Sequence, residues 1–130
     1  MGPDTSWGKH FTRAEWITSG AGDILRTGVT DVGGITPAVR TLHLAEAFTV
    51  DCEVHGNGSG NLSLLRATTS GRWYGRGLLH PHTDFDALPP HLHAIVDAMD
   101  EHGIVRLPDW PGLGSHFDLD HIRRDTITTD

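Results

Sequence analysis

The stretch AFTVDCEVHGNGSGNLSLLRA, residues 47–67, decides how this chain is read. Its first nine residues alternate. Phe48, Val50, Cys52 and Val54 fall on one side of an extended chain, and Thr49, Asp51, Glu53 and His55 fall on the other. One apolar and one polar face is the pattern of a half-buried strand, the common case in antiparallel sheets. The glycine-rich GNGSGN (56–61) contains Asn57-Gly58, a dipeptide suited to the left-handed backbone of a tight hairpin turn. The segment NLSLLRA (61–67) then reads as the returning strand.

Working outward from this hairpin, DILRTGVT (23–30) and AVRTLHL (38–44) read as earlier strands separated by a turn at DVGG (31–34). RWYGRGLLH (72–80) follows the turn TTSG as another strand. A short N-terminal helix is expected, with Thr12 and Glu15 at capping-box spacing, Phe11 and Trp16 at staple spacing, and Gly20 and Gly22 ending it. The spacing of Leu88, Leu92, Ile95, Val96 and Met99 predicts one long helix over 87–102, capped by Asp86 and closed by Gly103. GIVRL (103–107) and HFDLDHI (116–122) read as further strands, the latter at a sheet edge. The fold expected is therefore α+β: an antiparallel sheet of five to seven strands, able to curve into a half-barrel, with the long helix on one face. The 130 residues form a single domain on this reading.

Composition narrows the function classes. A net charge of −7 argues against nucleic acid and anionic membrane surfaces. No apolar run is long enough to span a membrane and the N-terminus has no secretory pattern, so a cytoplasmic protein is expected. One cysteine, Cys52, excludes an internal disulfide framework, and its place on the apolar strand face marks it as a buried small hydrophobe rather than a nucleophile. The chain carries no G-x-S-x-G elbow, no P-loop and no strand-linked G-x-G-x-x-G.

The stretch HPHTDFDALPPHLH (80–93) holds two His-x-His pairs. On a strand His80 and His82 share a face and would both reach one metal ion. In a helix His91 and His93 would lie about 200° apart, so only one of them would join the first pair. His80, His82 and His93 thereby take the ligand spacing that resembles JAMM-type zinc metalloproteases over this short segment. Two departures stand against that resemblance: His93 replaces the family's aspartate, and Thr83 replaces its proline. Glu53 or Glu46 would have to serve as its catalytic glutamate. A second metal candidate is His116, Asp118 and Asp120, which share one face if 116–121 is a strand. The plainer account of both segments is caps, surface hydrogen bonds and a charged edge strand.

Two further sites are expected. A hairpin would gather Arg66, Arg72, Trp73, Tyr74 and Arg76 into a surface for a protein partner. Glu53, His55 and Asp51 would form an acid–base group if their strand face lines a pocket or the lumen of a small barrel. Together these features favour a small non-enzymatic binding or assembly protein, acting through a protein partner or as a homo-oligomer and needing no cofactor. Two alternatives remain open. One is a metal-binding protein or metal-dependent hydrolase that uses zinc or another divalent metal at His80 and His82. The other is a metal-free acid–base enzyme or cyclase in a β-rich pocket.

Overall fold

The computed structural model describes residues 10–76, 82, 84, 86–107 and 109–127, with backbone alone at residues 10 and 11. Tertiary contacts divide the chain into two compact units, residues 1–78 and 79–130.

The first unit runs α1 (His10–Thr18), β1 (Ile24–Thr27), α2 (Val29–Val32), α3 (Ile35–Ala47), β2 (Asp51–His55), α4 (Ser59–Ala67) and β3 (Gly71–Gly75). Its three strands lie in the order β1-β2-β3, and both pairings are parallel. The antiparallel sheet expected from the sequence is therefore overturned, and the reason lies in two segments read with the wrong period.

The first is 38–44. Ala38, Thr41, Leu42 and Ala45 are the buried residues of α3, spaced i, i+3, i+4, i+7 as a helix requires. Pro37 sits in the first turn, where a missing N–H costs nothing. The second is the supposed hairpin. Gly58, at φ 108, is the N-cap of α4 rather than a turn between strands. Asn61 is only 3% exposed and ties three backbone groups together. Its Nδ2 donates to the carbonyls of His55 (3.0 Å) and Gly56 (2.9 Å), and its Oδ1 accepts from the Val29 N–H (2.8 Å). This carboxamide fastens the end of β2 to the start of α2, an arrangement that a hairpin would not permit.

With helices as crossovers, the strands run parallel. Helix α3 packs on β1 and β2, and α4 packs on β2 and β3. The apolar face between them holds Leu25, Cys52 and Val54 with Val32, Ala38, Leu42, Ala45 and Leu64. The opposite strand face carries Arg26, Asp51, Glu53, His55 and Trp73. Between β2 and β3 the register slips by one residue, so Cys52 faces Gly71 while Glu53 faces Trp73 and His55 faces Gly75. Arg72 is the extra residue, a β-bulge.

The second unit departs further from expectation. No helix spans 87–102: the described residues there are turns and bends, with isolated antiparallel bridges pairing Leu92 with Phe117 and Met99 with Val105. At the end of this segment Asp100 folds a turn: its Oδ1 accepts from the N–H groups of His102 (3.0 Å) and Ile104 (2.9 Å), and Gly103 sits at φ 75. Leu88 and Met99, expected on the buried stripe, are 50% and 51% exposed. Likewise 116–122 is not an edge strand. Asp118 accepts from the N–H groups of Asp120 (3.1 Å) and His121 (2.9 Å) and so caps α5 (Leu119–Asp125), with Arg123 and Arg124 in the last turn. No helix among the described residues is long and apolar enough to cross a membrane.

Candidate active site

The polar strand face of the first unit holds the best-formed group of chemical side chains. Arg26 on β1 forks onto Glu53 of β2, with Nε 2.9 Å from Oε2 and Nη2 3.1 Å from Oε1. Their side chains are 20% and 12% exposed, so solvent screens this bidentate pair less than a surface bridge. Two residues along β2, His55 turns Nδ1 toward the same carboxylate, 3.6 Å from Oε1. That nitrogen is shielded from solvent and has no hydrogen-bond partner among the described residues. His55 and Gly75 close their strands at the C-terminal edge of the sheet, where the Gly56 N–H donates to the Gly75 carbonyl (2.8 Å). At the opposite edge Asp51 pairs with Arg72 at 2.9 Å, in a more exposed position.

Glu53, His55 and Asp51 thus share one face, as the alternation in 47–55 indicates. Glu53 and His55 adjoin, while Asp51 is taken by Arg72. Arg26 escaped sequence reasoning, although its signal was present: it alternates with Leu25 and Thr27 and so had to lie on the face of its strand opposite theirs. Gly75 and Asn61 left no comparable signal.

The residues expected to form a partner surface fall on different elements. Trp73 is 47% exposed on the polar face. Tyr74 faces α4, where its hydroxyl accepts from the Gly58 N–H (3.0 Å). Arg66 lies on α4 and Arg72 on β3, so no hairpin brings them together; Arg76 follows β3 directly.

Among the described residues, no three His, Cys, Asp or Glu side chains converge as a metal site. His80 lies outside the described residues. His82 is described in a turn, and the His93 N–H donates to the His116 carbonyl (2.9 Å). The ring of His116 stacks on Trp110, with centroids 3.8 Å apart. Asp118 caps α5, whose backbone N–H groups hold its carboxyl below the usual range, and Asp120 pairs with Arg123 at 3.1 Å. Cys52 is buried, and burial pushes its thiol up to about 12, as expected of a packing residue.

Three parallel strands in sequential order, with helical crossovers on one face and polar groups at the strand ends on the other, are the repeating unit of a TIM-type barrel. The enolase C-terminal domain-like family matches residues 4–121. The chain belongs to that family. Among solved structures, this enolase-type chain is 54% identical to D-glucarate dehydratase from Agrobacterium tumefaciens complexed with magnesium, with a TM-score of 0.88. The match covers 98% of this chain and 33% of that one, so the chain spans about a third of the relative's length. Two structures of a mandelate racemase/muconate lactonizing enzyme from a marine actinobacterium share the fold. One matches at 22% identity and TM-score 0.65, covering 88% of this chain and 31% of that one. The other, in complex with magnesium, matches at 21% and 0.68, covering 92% and 33%. No curated protein sequence matches. Membership of the enolase-type family overturns the expectation of a non-enzymatic binding or assembly protein. The Trp- and Arg-bearing segment that suggested one runs from the end of α4 through β3.

Proposed function

We propose that this chain forms part of the barrel of a sugar-acid dehydratase, with the Arg26–Glu53–His55 face as part of the lumen wall. One observation carries the reading. In a chain 54% identical to a D-glucarate dehydratase, an imidazole and a carboxylate meet near the C-terminal ends of parallel strands. That end of the barrel is where TIM-type enzymes place their chemistry.

Dehydration of a hydroxy acid breaks the C–H bond next to the carboxylate and the C–O bond of the neighbouring hydroxyl, which leaves as water after gaining a proton. Both steps need a group that carries a proton near neutral pH, and histidine is the side chain whose ordinary value lies there. His55 fills that role through Nε2, because Nδ1 faces Glu53. Glu53 orients the ring, and Arg26 holds Glu53 by both of its oxygens.

Magnesium, present in the relative, finds no ligand set here. Both oxygens of Glu53 are engaged by Arg26, and among the described residues it belongs to no group of three or more His, Cys, Asp or Glu side chains able to hold a metal ion. Residues outside this chain would supply the metal site, and no step assigned to His55 depends on it. The remaining barrel strands, pairing with the outer edges of β1 and β3, are the partner this reading requires.

The experiment is a graft. Residues 4–130 replace the matching third of the Agrobacterium dehydratase, and conversion of D-glucarate to a keto product is followed with magnesium present. Turnover within about tenfold of the parent enzyme is expected. A folded graft without turnover would overturn the reading.

A further inference from the structure

The Glu53 carboxylate is gripped from two sides. On one side is the Arg26 fork already described. On the other is Gly75, whose bare Cα lies under the carboxylate. A Cβ at this position would overlap Glu53 Oε1 and come within 2.8 Å of His55 Nδ1 and 3.2 Å of Glu53 Cδ. The backbone does not demand glycine here: unlike Gly33, Gly56 or Gly58, Gly75 is not among the positive-φ glycines. Space is the reason, since the carboxylate occupies the volume that any other side chain would fill. The bulge at Arg72 sets this register, putting Gly75 opposite His55.

We propose that Gly75 and Arg26 are positioning residues for His55. Together they seat the Glu53 carboxylate beside Nδ1, which selects the Nδ1–H tautomer and leaves Nε2 as the proton-carrying atom. Which nitrogen of an imidazole carries the proton is set by what the other faces, and here the shielded Nδ1 faces Glu53 Oε1 at 3.6 Å. The use of that tautomer in catalysis rests on the reading of the site given above. The tautomer itself does not.

The test uses the 130-residue chain with nitrogen-15-labelled histidine. Two-bond proton–nitrogen spectra are recorded near pH 8, above the ordinary histidine value of about 6.5. The His55 signals are assigned by their loss in His55→Gln. The Nδ1–H form is expected to dominate in the unsubstituted chain, to become the minor form in Arg26→Gln and Gly75→Ala, and to persist in Arg26→Lys, which keeps a cation for Glu53. Circular dichroism establishes that each variant folds. If Gly75→Ala does not fold, the two Arg26 variants decide. A dominant Nε2–H form in the unsubstituted chain, an unstructured β2, or folded variants with an unchanged tautomer would each overturn the proposal. The graft separates the two ideas. Loss of turnover in grafted His55→Gln, with a tautomer indifferent to residues 26 and 75, keeps the acid–base reading and removes the positioning one. The converse result does the reverse.

Discussion

At the scale of single residues, burial and pairing decide chemistry more than residue type does. Cys52 is a nucleophile by composition only. It is fully buried, and its thiol is displaced from the ordinary 9.0 up to about 12, mainly by loss of solvation. Because the folded value is the higher one, Cys52 contributes stability in full below about pH 9. That contribution drains away as pH rises toward 12, since only the unfolded chain ionises in between. Iodoacetamide at pH 8 is expected to label the native chain far more slowly than the urea-unfolded chain; equal rates would show that Cys52 is not packed as described. Asp118 acts in the opposite direction. Its carboxyl is held low chiefly by the His121 N–H, so α5 is expected to lose its cap as pH falls through the lowered value. Asp118→Ala should remove that acid-sensitive fraction of the helical circular-dichroism signal, and an identical acid titration in the variant would refute the cap.

At the scale of elements, the sequence was legible where alternation had one interpretation and misleading where it had two. The strand expected over 47–55 forms only at 51–55, where Cys52 and Val54 lie opposite Glu53 and His55 as read; Ala47 ends α3, and Phe48, expected on the apolar face, is 48% exposed. The segments that form α3 and α4 read as strands by sequence alone. Short runs such as 61–67 satisfy both periods, and Asn57-Gly58 tipped the choice toward a hairpin. What the sequence hid was Asn61, whose three backbone bonds span residues 29 to 61 and appear only in the folded chain. The helix expected over 87–102 does not form despite its apolar stripe; Asp100 organises a turn only at the end of that segment. Two predictions belong at this scale. Leu42, fully buried where α3 meets the sheet, is expected to cost about 2–5 kcal/mol on Leu42→Ala in urea titrations. If 38–44 lay exposed, the cost would be near zero. Thr49 closes α3 at φ 57, a left-handed position that penalises a β-branched side chain. Thr49→Gly should therefore raise stability by about 0.5–1 kcal/mol, and a loss of stability would show that the turn is built otherwise.

At the scale of the whole molecule, the proposed function makes the polar face of the sheet one wall of a larger barrel. Arg26, Glu53, His55 and Trp73 line one side of three parallel strands, and the chain spans about a third of its dehydratase relative. The acid–base group was already visible in the alternation of 47–55, together with the condition that it line a lumen. The parallel topology was not legible there, because it depends on the crossover helices. Under the proposed function, His55 carries a proton in the reaction. The most direct measurement is the kcat of His55→Gln against the unsubstituted sequence within the grafted dehydratase, with folding checked by circular dichroism. A fall of about 10²–10⁴-fold in kcat with the fold intact is the expected result. A folded variant whose kcat stays within about threefold of the unsubstituted graft would contradict it.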